Sequence, residues 1–131
     1  MSFGNQSAQK EIIEQIDSNK LNEMLKDTET KRQYIDVRTP EEYYSRNIKA
    51  FTNIPLQVLQ QRVRELDKET PVVVICASGG RSMSAASFLE GQGFAHILNV
   101  RGGMSSYRGW WCGGTIVGRS WDGRGRAFSA V

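Results

Sequence analysis

The sequence predicts an α/β fold: a single three-layer domain with a central, mostly parallel β-sheet flanked by helices. Three observations carry this. Segments with apolar residues at i, i+3, i+4 alternate with short extended segments, and that alternation builds a parallel sheet through crossover helices. The stretch "PVVVIC" (71–76) is almost wholly apolar, as a strand covered on both faces must be. The 131 residues suffice for one domain with a real core and not comfortably for two.

Taken in order, a short strand is expected around Ile12–Ile16, although "EIIEQI" could equally begin a helix. "DSNKLNEMLKD" reads as a helix capped by Asp17 or Ser18, with Leu21, Met24 and Leu25 inward. "QYIDV" (33–37) is a strand running into "RTPEEYY", where Thr39, Pro40 and Glu42 spell an N-cap, a first-turn proline and a capping-box glutamate. "TNIPL" is extended and precedes a helix over 57–66 with Val58, Leu59 and Val63 inward. After the apolar strand, "SMSAASFLEGQG" is a helix presenting Ala85, Phe88 and Leu89 and ended by Gly91 or Gly93. "HILNV" (96–100) is the next strand and "GGMSSYRGWW" a final helix. Domain limits follow: a flexible N-terminus over 1–10, the folded domain over 11–111, and a Gly/Arg-rich tail over 112–131. The tail has no sustained periodicity and is expected to be flexible or left over from an expression vector.

Composition narrows the function classes. Apolar content of 39% and charged content of 24% place the chain among ordinary globular proteins. Of the formal charge of +3, most sits in the tail, where Arg119, Arg124 and Arg126 face only Asp122. The near-neutral body offers no basic face for nucleic acid. "MSFGNQSAQKEIIEQI" lacks the apolar centre of a signal peptide, and no apolar run approaches the roughly 20 residues of a membrane span. Cys76, Cys112 and the single His96 are too few for a four-ligand zinc site or a disulfide framework. The expectation is a cytoplasmic protein, a monomer or weak dimer without metal or cofactor, whose thiol can stay free.

Cys76 ends the most apolar strand, and in a parallel sheet ligands bind beyond the carboxyl ends of the strands. Ala77 and Ser78 are small enough for backbone amides to approach a ligand. Gly79 and Gly80 can take positive φ and turn successive N–H groups inward, forming an anion-binding nest at a helix start. Arg81 adds a full positive charge, and Ser82 follows it. Such surroundings lower a thiol's pKa and make the thiolate, the nucleophilic form, the favoured species. The same cradle would hold a persulfide, Cys76–S–S⁻.

At this point the chain resembles a rhodanese-homology domain. "CASGGRS" is similar to the family's active-site loop, "IDVRTPEEY" to the segment that opens its core, "NIPL" to the return after it, and "NVRGGMSSYRGW" to its closing segment. The resemblance implies that Cys76 carries sulfur, that Ala77, Ser78, Gly79, Gly80 and Arg81 form the cradle, and that Asp36 and Arg38 buttress the loop at its rim. It implies a thiosulfate sulfurtransferase of single-domain type, with a small sulfur donor and a thiol, cyanide or protein acceptor. The chain departs from the family at "NIKAF" (47–51), where a histidine is usual, and at Ala77, where a cationic or polar residue is common. Fewer positive groups at the mouth weigh against efficient use of the thiosulfate dianion.

Other readings of the same loop are a non-enzymatic persulfide carrier or redox sensor, with Cys112 as a resolving thiol, and a small cysteine phosphatase or arsenate reductase. Phosphatase loops resemble C-x5-R, whereas four residues separate Cys76 from Arg81, a smaller cradle suited to one sulfur. A cysteine hydrolase needs a histidine base near the thiol. His96 starts its strand while Cys76 ends a parallel one, so roughly 13 Å of strand separates them.

Overall fold

The computed structural model describes residues 13–109, 111–112, 119–121 and 127–129. Its strands are β1 (Ile13–Ile16), β2 (Gln33–Asp36), β3 (Thr52–Asn53), β4 (Val72–Ile75) and β5 (Ile97–Val100). Its helices are α1 (Ser18–Lys26), α2 (Pro40–Ser45), α3 (Leu56–Arg62, continued by a 3-10 turn at Val63–Glu65), α4 (Gly80–Gly91) and α5 (Gly103–Ser106). The five strands form one sheet in the order β1-β5-β4-β2-β3, and every pair is parallel. β4 lies at the centre with all four residues buried, as its apolar run requires.

Local chemistry sets the helix starts. The Asp17 side chain accepts the Lys20 N–H at 2.8 Å and caps α1. At α2 the reciprocal capping box forms: Thr39 Oγ1 accepts the Glu42 N–H at 3.2 Å, and Glu42 Oε1 accepts the Thr39 N–H at 3.0 Å. α4 is capped by no side chain; Gly79, at φ 108°, turns the chain into it. The sheet separates two apolar layers. On one side Val72, Val74, Cys76, Leu59, Ala85 and Leu89 pack together, with Val58, Val63 and Phe88 partly buried against them. On the other, Leu21, Met24, Phe51, Val73, Ile75 and Met104 do so. Each fully buried Leu or Phe contributes about 1.5–3 kcal/mol relative to an exposed one.

Two elements differ from expectation. The closing helix is only the single turn of α5, because Tyr107 leaves the helical region (φ −71°, ψ 133°). After it, β6 (Trp111–Cys112), β7 (Arg119–Trp121) and β8 (Ala127–Ser129) pair antiparallel as a small second sheet, in a region whose sequence carries no strand period. Backbone bonds of 2.6 Å in both directions join Cys112 to Asn47, tying β6 to the domain. The remaining residues of 1–12 and 112–131 lie outside the described ones.

Candidate active site

Cys76 is the first residue beyond β4 and is 0% exposed. Three residues later Gly79, in the left-handed region, swings its N–H back onto Cys76 Sγ at 3.0 Å. Gly80 needs no such freedom; it already belongs to α4, so only one of the two glycines expected at positive φ adopts it. Ser82, buried in the first turn of α4, places its hydroxyl 3.4 Å from Sγ.

The loop's carbonyls are drawn away from the sulfur. The Met104 N–H donates to the Cys76 carbonyl at 2.8 Å and the Ser105 N–H to that of Ala77 at 2.9 Å. With its acceptors engaged by α5, the loop presents donors to the interior. Burial, the largest single influence, pushes the Cys76 thiol up. The Ser82 hydroxyl and the Ser82, Gly79 and Ser78 amides together outweigh it, and the net shift is downward. The sulfur anion is therefore stabilised by short-range dipoles.

Arg81 contributes less to that balance than its position beside the loop suggests. Its guanidinium forms a two-pronged pair with Glu42, Nη1 to Oε1 at 2.8 Å and Nη2 to Oε2 at 3.0 Å. Glu42 thus closes its own helix cap and holds the far end of the sulfur loop. Sequence reasoning saw the first role only, since the partner lies 39 residues away. The Arg81 hydrogen bonds, chiefly, bring the Glu42 carboxyl from 4.5 down to about 2. A carboxyl lowered on folding stabilises the fold above its unfolded pKa and loses that contribution as pH falls toward the folded one. Both side chains are more than a third exposed (37% and 36%), so solvent screening keeps the pair at no more than about 1 kcal/mol. Glu42→Gln, which keeps the capping box, should cost up to that amount at neutral pH. The difference from wild type should vanish between pH 4.5 and about 2, measured by urea unfolding across pH.

Asp36 ends β2 and Arg38 follows two residues later. They pair with each other in the interior, Arg38 Nη2 to Asp36 Oδ2 at 2.8 Å, with Asp36 at 0% and Arg38 at 5% exposure. Arg38 also donates to the Arg46 carbonyl at 2.5 Å. The pair braces the end of β2 against the end of α2, and the Asp36 charge also acts on Arg81. His96 stands at the start of β5, exposed and 3.1 Å from Glu14, at the opposite end of the sheet from Cys76.

Asn99 was missed altogether. It is buried in β5, its Oδ1 hydrogen-bonded to Ser82 Oγ and its amide donating to Gln15 Oε1 at 2.7 Å. The signal was present: an asparagine facing the core from an apolar strand requires partners. Here those partners fix the hydroxyl that faces the sulfur.

Comparison with known proteins agrees with this geometry. Residues 17–109 match the rhodanese-like domain. A sulfurtransferase of Allochromatium vinosum is 35% identical over 96 residues, covering 73% of this chain and 89% of that one. The thiosulfate sulfurtransferase GlpE of Pseudomonas entomophila is 31% identical over 86 residues, 66% of this chain and 79% of that one. The crystal structure of a rhodanese-like domain protein from Staphylococcus aureus superposes with a TM-score of 0.66 at 30% identity, covering 72% of this chain and 90% of that one. With the fold, the cysteine loop and the sequence likeness in accord, the chain belongs to the rhodanese-like domain family.

Proposed function

We propose that the protein is a sulfurtransferase that moves sulfane sulfur through a persulfide on Cys76. The thiolate attacks the outer sulfur of a donor such as thiosulfate; a new S–S bond forms, the donor's S–S bond breaks, and sulfite leaves with its electron pair. An acceptor nucleophile then attacks the outer sulfur of Cys76–S–S⁻, and the pair of the cleaved bond returns to Cys76 as thiolate. This is double-displacement covalent catalysis. The observation that carries the reading is the polar shell of Cys76: the Ser82 hydroxyl, which accepts from the thiol, and three loop amides, which together lower its pKa despite burial. They can hold the charge on the inner or the outer sulfur alike.

Complete burial of Cys76 favours small donors and acceptors, such as thiosulfate, cyanide and low-molecular-weight thiols, over direct handover to a bulky protein. A nucleophile that must remain a free thiol is compatible with a reducing compartment such as the cytoplasm. Incubation with thiosulfate should add one sulfur atom to Cys76 by intact and peptide mass, and cyanide should then yield thiocyanate in repeated turnovers. Loading without turnover would make the protein a sulfur carrier. No loading would reject the reading.

A further inference from the structure

A cleft of about 380 Å³ opens at the carboxyl edge of the sheet, lined by Asp17, Ser18, Arg101, Gly102, Ser106 and Arg108 among others. It adjoins the sulfur site. The β4–β5 register pairs Val74 with Asn99, and each chain continues two residues on to Cys76 and Arg101 at the same edge of the sheet. A Cβ on Gly79 would sit 3.5 Å from the Gly102 nitrogen, so the cleft wall and the sulfur loop are in contact. On the far side the Arg101 N–H donates to the Ile16 carbonyl at 2.8 Å, and the Arg108 N–H to Ser18 Oγ at 3.0 Å. Both arginines are thereby anchored through their backbones to β1 and the start of α1.

Both side chains are exposed. Arg32, Arg38, Arg62 and Arg81 each hold a carboxylate partner, whereas among the described residues no carboxylate pairs with Arg101 or Arg108. The one carboxylate in the wall, Asp17, is engaged at 2.8 Å with the Lys20 N–H as the cap of α1. Two exposed guanidiniums on one cleft suit a carboxylate, which they can grip in planar, two-pronged fashion. The positive charge that Ala77 does not supply at the mouth of the loop stands here, one strand over. The volume far exceeds the need of thiosulfate and falls in the range of sites for small organic molecules.

Resting on the sulfurtransferase reading, we infer that this cleft binds the carboxylate of a small anionic thiol and presents its sulfur to the Cys76 persulfide. The acceptor thiolate attacks the outer sulfur, leaves as R–S–S⁻, and Cys76 is released as thiolate, so atoms and charge balance without a further reactant.

The test uses the full chain and its Arg101→Gln/Arg108→Gln variant, both loaded from thiosulfate and freed of excess. Discharge of the persulfide is followed with mercaptopropanoate and with mercaptoethanol, compared at equal thiolate concentration. The variant should lose about tenfold in kcat/KM, roughly 1.4 kcal/mol, for mercaptopropanoate. Discharge to mercaptoethanol should stay within about twofold, as should loading by thiosulfate. An equal loss for both thiols, or no loss, overturns the inference. Slowed loading with unchanged discharge assigns the arginines to the donor and also overturns it. Binding of hydroxypropanoate, read from chemical shifts of the two arginine side chains, judges the cleft separately. If wild type takes up no sulfur, the sulfurtransferase reading fails while the binding result stands on its own; no shift at either arginine sinks the cleft.

Discussion

Cys76→Ser is expected to lower thiocyanate formation from thiosulfate by at least about 10⁴-fold, while the variant unfolds within about 1 kcal/mol of wild type. The asymmetry follows from the environment. A serine hydroxyl fits the space and can use the same partners, the Gly79 N–H and the Ser82 hydroxyl that lie 3.0 and 3.4 Å from the sulfur. The fold therefore has little reason to change. The chemistry has no substitute: an alkoxide is far harder to form than a thiolate, and oxygen cannot store a sulfane sulfur as a disulfide-like bond. Steady-state thiocyanate assays and urea melts on the same preparations read both halves. Residual transfer above one part in about 10³ would place the nucleophile elsewhere. A variant that failed to fold would show instead that Cys76 serves packing first.

What could be read from the residues in advance, and what could not, divides by the range of the interaction. The β-strand and helix alternation, the cap of α1 at Asp17 and the capping box of Thr39 and Glu42 are local, and the fold reproduces them. So does the cysteine at the end of the central strand, because an apolar run followed by small residues and glycine is itself the signature of the turn. The grip of Glu42 on Arg81 and the chain from Ser82 through Asn99 to Gln15 depend on which strands become neighbours. Periodicity does not contain that information. Arg81 shows the consequence: adjacent in sequence to the loop, it was assigned to the sulfur, yet its charge is spent on a helix cap two strands away in the chain. The short strands after Trp111 fall in a different class, since two- and three-residue strands carry too few alternations to register.

Gly103→Ala is expected to destabilise the protein by about 3–5 kcal/mol and to slow alkylation of Cys76, although residue 103 makes no side-chain contact with the sulfur. Gly103 sits at φ 55°, where a side chain costs roughly 1–2 kcal/mol. An added Cβ would also overlap the Cys76 carbonyl oxygen and come within 2.7 Å of the Ala77 carbonyl carbon and oxygen. These are backbone atoms of the sulfur loop and cannot swing aside as a lysine tip can. Relief requires α5 to withdraw, which breaks the Met104 and Ser105 hydrogen bonds to those carbonyls and removes what turns the loop's donors inward. Gly80→Ala is the matched control. Nothing lies within 4 Å of its Cβ and its φ is not left-handed, so within α4 it should be neutral or stabilising by up to about 1 kcal/mol. Urea unfolding and thiol alkylation rates on the pair separate the two glycines of the "GGR" and "RGG" motifs by mechanism. If both variants behave alike, the approach of α5 is not what shapes the cradle, and the inward turn of the Ser78 and Gly79 amides must be set by the loop and α4 themselves.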